Sequence, residues 1–188
     1  MLKKAWLLAP VLALVGVAAC GGGGGGSDGG GFVVPDGYPY PVQTPEVIDD
    51  RTHMAVGEVY DGYTSDPPTS GPHTLAPAPW GISEEVLAKE VPVHNMEHAG
   101  VVVWYSCNAG EPLSADACAQ RKNDLAAVVS PLLGEGYRVL MTQYPSMDTQ
   151  IALTGWGFLD SFDEFDAARI EMFVTTFECN FDPEGFCG

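Results

Sequence analysis

Four histidines occur in the 188 residues: His53, His73, His94 and His98. His94 and His98 are four apart, so a helical turn sets both imidazoles on one face. An extended strand also points positions i and i+4 the same way. Met96 stands between them; a strand brings it alongside the rings and a helix turns it away. Imidazole is the commonest metal ligand in proteins. Histidine with methionine, and without free thiolate, suits copper in an oxidising space, with zinc as the alternative. The candidate ligands are therefore His53, His73, His94 and His98, with Met96 and Met54 as thioether donors. The pieces His53-Met54 and His94-Asn95-Met96 resemble parts of periplasmic copper-chaperone sites. Glu97 lies beside them and could act as general base toward a metal-bound water. The expectation under both backbone readings is that Glu97 points away from the His94–His98 face, and the spacing is not the H-E-x-x-H of zinc peptidases. The sequence contains no nucleophile elbow, phosphate loop or dinucleotide fingerprint, and no catalytic residue is assigned. Besides a metal-binding protein, the pattern admits an envelope binding or structural module whose histidines only hydrogen-bond. It also admits a metal-dependent hydrolase.

The elements that must position these side chains follow from pattern. His73 closes the run PPTSGPH, residues 67–73. Its prolines fix φ and forbid helix, so it presents one side chain from a stiff loop. Residues 47–59, which hold His53 and Met54, give no secondary-structure signal. Ser83 is placed as the cap of a short helix over 83–89. The β-branched run 99–105 is a buried strand. Pro112 and Ser114 open a helix carrying Cys118, Leu125, Val129 and Leu132 at helical spacing, which Gly134 and Gly136 end. Residues 138–144 form a second strand and 150–158 a third, paired as a hairpin. Ser161 and Glu164 make a capping box for a last helix with the stripe Ile170, Phe173, Val174 and Phe177. The expected fold is one small α+β domain. Its mixed or antiparallel sheet has three to five strands, with two main helices on one face, behind a long Pro/Gly-rich N-terminal region.

The N-terminus carries a different message. Lys3 and Lys4 precede an apolar run that ends in Val17-Ala18-Ala19-Cys20, which resembles a bacterial lipobox. Residues 1–19 are read as a lipoprotein signal peptide and Cys20 as the lipidated residue, so the expected membrane contact is this anchor. Residues 20–31 are that cysteine and a glycine-rich tether, and 32–188 the globular domain. The eleven residues 21–31 reach roughly 18 Å as a flexible coil. Gly21 after the lipidated cysteine favours the outer membrane in a two-membrane cell. The expected location is the extracytoplasmic cell envelope, a periplasmic setting, with the face of the outer membrane left open. The formal charge of −17 excludes nucleic acid or an anionic lipid surface as a charge-driven partner. Protein partners are not specified. Four cysteines remain after Cys20, an even number that favours two disulfides in an exported chain. Of three pairings, Cys107 with Cys118 and Cys179 with Cys187 are preferred, because each closes a short loop beside an element end.

Four motifs together resemble one bacterial family, domain of unknown function 3105. They are PPTSGPH at 67–73, VHNMEHAG at 93–100, the apolar strand after it, and TGWG at 154–157. The likeness runs from about Thr52 to the C-terminal region. It implies a shared site at His53, His73, His94 and His98. The sequence departs from the family at Met96, where an aliphatic residue is usual. The resemblance implies export or membrane anchoring and no particular activity.

Overall fold

Val101–Tyr105 form a strand in which all five residues are buried. A strand covered on both faces must be apolar on both. Val101, Val103 and Tyr105 enter one core, and Val102 and Trp104 the other. A computed structural model describes residues 32–187. The stretches read from sequence as signal peptide, lipidation site at Cys20 and tether lie outside the described residues. The elements are β1 (His53–Met54), β2 (His73–Thr74), β3 (Gly81–Ile82), α1 (Glu90–Glu97), β4 (Val101–Tyr105), α2 (Ala115–Glu135), β5 (Val139–Gln143), β6 (Ile151–Gly155), β7 (Phe158–Phe162) and α3 (Ala167–Phe177).

The main sheet has five strands in the order β3-β5-β4-β6-β7. Strand β4 runs parallel to β5, which runs parallel to β3. Strand β4 runs antiparallel to β6, which runs antiparallel to β7. Two parallel neighbours need a crossover, and α2 supplies it between β4 and β5. Ser114 caps α2 by accepting from the Ala117 N–H at 3.2 Å, and Gly136 ends it at φ +96°. Leu125, Val129 and Leu132 of α2 join Ile170, Phe173, Val174 and Phe177 of α3 over one sheet face. The domain is thus α+β, with its two main helices on one side of a mixed sheet. The disulfides Cys107–Cys118 and Cys179–Cys187 both form.

The opposite face is covered by α1. Val93 and Met96, one turn apart, pack on Val102, Trp104, Leu140 and Ala152. Pro92 sits in the first turn, where its missing N–H has no intrahelical acceptor to satisfy. Ala99, at φ +65°, turns the chain from α1 into the sheet.

Three sequence expectations are corrected. Residues 83–89 form no helix: the Ser83 hydroxyl donates to the Glu85 carbonyl at 2.8 Å and accepts its N–H at 3.3 Å. Such local bonding competes with helix formation. The run 150–158 holds β6 and, after a turn, only the first residue of β7, and the hairpin partner of β6 is β7 instead of β5. The break is the two-residue turn Trp156-Gly157, with Gly157 at φ +79° and the Phe32 ring 2.9 Å from where a Cβ would stand. Ser161 consequently lies within β7, and the cap of α3 is Asp166, whose carboxylate accepts from the Arg169 N–H at 3.0 Å.

Candidate metal centre

Strands β1 and β2 form a separate two-stranded parallel pair in which His53 is the register partner of His73. Side-by-side residues on parallel strands share a face, so two histidines twenty positions apart become neighbours. Helix α1 supplies the other half. Its Val93 and Met96 point at the sheet, which leaves His94 and Glu97, three apart, on the face toward β2. Asn95 fixes the helix to the loop after β2, accepting from the Ala78 N–H at 3.0 Å and donating to the Ala78 carbonyl at 2.8 Å.

The four groups converge. Ring centroids are 4.9 Å apart for His53 and His73, 4.9 Å for His53 and His94, and 4.8 Å for His73 and His94. His53, His73, His94 and Glu97 each offer one donor atom, and these atoms lie within 4.8 Å of one another. His73, His94 and Glu97 are buried, while His53 stands at the rim. This group could hold a metal ion. Donors around a tetrahedral ion sit about 3.3 Å apart, since each bond is about 2.0 Å, so modest inward movement closes the set.

Proton placement makes the geometry specific. His73 Nδ1 lies 2.8 Å from the Gly71 carbonyl, and His94 Nδ1 lies 2.6 Å from the Thr74 carbonyl. A carbonyl only accepts, so both Nδ1 atoms carry hydrogen. In a neutral ring the Nε2 atom then presents a lone pair. His73 Nε2 is 2.9 Å from Glu97 Oε2, and His53 Nε2 is 3.6 Å from the same oxygen. Two acceptors at 2.9 Å repel unless a proton or a metal cation lies between them. Metal-bound histidines are commonly oriented by a carbonyl on the second ring nitrogen. Burial pushes the His94 imidazole below its ordinary value, and nearby His73, His98 and His53 push the same way against the Thr74 carbonyl. The ring is therefore held in the neutral form a metal requires.

The remaining candidates fall elsewhere. His98 follows α1 as its C-terminal cap, with its Nε2 3.0 Å from His94 Nε2 and 3.0 Å from Glu184 Oε2. It borders the four-donor group without belonging to it. Met96 is fully buried in the core beneath α1, because a helix turns i+2 away from i and i+4. Met54 follows His53 in β1, and strand alternation sends it to the opposite side. Glu97 is the correction in the other direction. It stands three residues after His94, and positions i and i+3 of a helix are neighbours, so it faces the imidazoles instead of avoiding them. Arg51 was also unmarked in the sequence; its Nη1 lies 3.3 Å from Glu97 Oε1.

The chain belongs to the family described as "Protein of unknown function (DUF3105)", whose model matches residues 58–186. His73, His94, Glu97, His98 and Glu184 fall inside the matched span and His53 just before it. Among curated proteins and among solved structures nothing matches.

Proposed function

We propose that this chain is a lipid-anchored, extracytoplasmic protein that binds a divalent transition-metal ion through His53, His73, His94 and Glu97. One observation carries the reading. Two buried imidazoles are pinned by their Nδ1–H groups to carbonyls, and the Nε2 of one meets a buried carboxylate where a cation would sit. The two disulfides fit an oxidising compartment, which agrees with export. Anchoring rests on the Val17-Ala18-Ala19-Cys20 motif.

The preference for copper leaned on sulfur donors. With Met96 in the core and Met54 across β1, the set is nitrogen and oxygen, which zinc and copper(II) both accept. Copper(II) stands above zinc in intrinsic affinity, so the ion held in the cell follows supply as well as strength. A competing reading keeps the centre metal-free, with a protonated His73 paired to Glu97 as a strut between β2 and α1. That reading accounts for the 2.9 Å contact but not for the donor atoms of His53 and His94 lying within 4.8 Å of the same carboxylate. Elemental analysis of the purified chain after loading with zinc or copper(II) and extensive dialysis separates them. Metal binding predicts bound ion that His73→Ala and His94→Ala abolish. Metal-free protein after both loadings establishes the strut.

A further inference from the structure

Glu97 belongs to two groups of metal-capable side chains. Besides the first centre it forms a set with His98 and Glu184, again with one donor atom each within 4.8 Å of one another. The second set faces solvent: the His98 side chain is 24% exposed and that of Glu184 40%. Its hydrogen bonding is not satisfied locally. His98 Nε2 meets two acceptors, His94 Nε2 at 3.0 Å and Glu184 Oε2 at 3.0 Å, and a neutral imidazole has at most one proton there for both. His94 is itself buried and, with Nδ1 committed to the Thr74 carbonyl, has an Nε2 lone pair to satisfy. Once an ion takes that lone pair, His98 Nε2 is free of it and faces Glu184.

We propose that the centre is two-metal. A second divalent cation is held by His98, Glu184 and a carboxylate oxygen of Glu97, which bridges the two ions. This rests on the first centre binding metal. Bridged pairs lie about 3.5–4 Å apart, a separation that adjacent donor sets sharing one carboxylate accommodate. The two positions differ in strength for stated reasons. The first has three imidazoles and is largely enclosed. The second has one imidazole, a wetter surround, the charge of the first ion beside it, and Arg51 already against Glu97 Oε1 at 3.3 Å. It is therefore the weaker and more readily exchanged position. Glu184 reaches His98 from the loop closed by Cys179–Cys187, whose Phe186 ring lies 4.6 Å from the His98 ring.

The test is a zinc titration of the purified wild-type chain by calorimetry, with elemental analysis at saturation. Two ions per chain are expected, the second weaker by at least tenfold. Glu184→Gln and His98→Gln are each expected to bind one ion with the tight phase intact. Unchanged circular dichroism and melting temperature check that both variants fold, and Glu184→Ala provides a second probe at this part-exposed position. Saturation at one ion in the wild type overturns the second position and leaves the first standing. Two ions retained by both Glu184 variants overturns the assignment of Glu184. No bound zinc in the wild type overturns the second position, and no bound copper(II) in the same titration overturns the centre it rests on as well.

Discussion

Glu97 is the residue on which the site turns. Its carboxylate is buried and meets His73, His53 and Arg51. Glu97→Gln keeps the shape and removes the charge, so calorimetry should show zinc or copper(II) affinity falling by at least tenfold, the lower end of what even outer-shell changes cost. An unchanged affinity would remove Glu97 from the ligand set. Met96 makes the opposite prediction. Met96→Ala should cost about 2–5 kcal/mol in denaturant unfolding, as for other fully buried methionines, and Met96→Leu less than about 1.5 kcal/mol. Metal stoichiometry should not change in Met96→Leu; its loss would restore sulfur to the site. His94 gives a pH dependence. Its folded value is depressed by burial, so the unfolded chain takes up the proton first as pH falls. Its contribution to stability is intact above its unfolded value, about 6.5, and is lost as pH falls below that. The drop in apo-protein stability between pH 7.5 and 5.5 should be smaller in His94→Gln than in wild type. An equal or larger drop would contradict the assigned protonation state. At this scale three of the four histidines singled out in the sequence, His53, His73 and His94, lie together, and Glu97, which the sequence reading turned away, lies with them. The signal was present: a spacing of three in a helix is as co-facial as a spacing of four.

At the level of elements, legibility followed length. The stretch that became β4 announces itself by five apolar residues, and α2 and α3 by stripes several turns long. Strands β1 and β2 have two residues each, too few for any period to register, and their pairing spans twenty positions of turn-rich chain. That pairing sets His53 against His73, so the part of the site it builds could not be read locally. The hairpin error has a similar origin. Strands β5 and β6 are adjacent in sequence, yet β4 lies between them in the sheet. The Thr154-Gly155-Trp156-Gly157 motif was visible as a resemblance, and its structural task is the turn into β7. Gly157→Ala tests this, since it forces a Cβ into a left-handed backbone and against Phe32. Denaturant unfolding should show a loss of about 1–3 kcal/mol. A neutral substitution would mean that the turn tolerates a side chain and that Phe32 moves freely.

Over the whole molecule, two layers of opposite character are joined at one sheet. One face is sealed by α2 and α3 and contains the larger apolar core. The other carries α1 and the β1–β2 pair, and the histidines sit between these two. The order of periodic elements anticipated the α+β class, because α2, α3 and the five-residue strands each register a pattern, whereas the site arises from the irregular layer. No helix among the described residues is long and apolar enough to cross a membrane. In the proposed account attachment rests on Cys20 of the Val17-Ala18-Ala19-Cys20 motif. Cys20→Ser should move the chain from the membrane fraction to the soluble extracytoplasmic fraction, and persistent membrane association would contradict that anchor. The most direct check of the central claim is anomalous diffraction from crystals grown with zinc and measured across its absorption edge. The account predicts a peak about 2.0–2.2 Å from one donor atom of each of His53, His73, His94 and Glu97. A difference map featureless at that point, with His73 still hydrogen-bonded to Glu97, would contradict it.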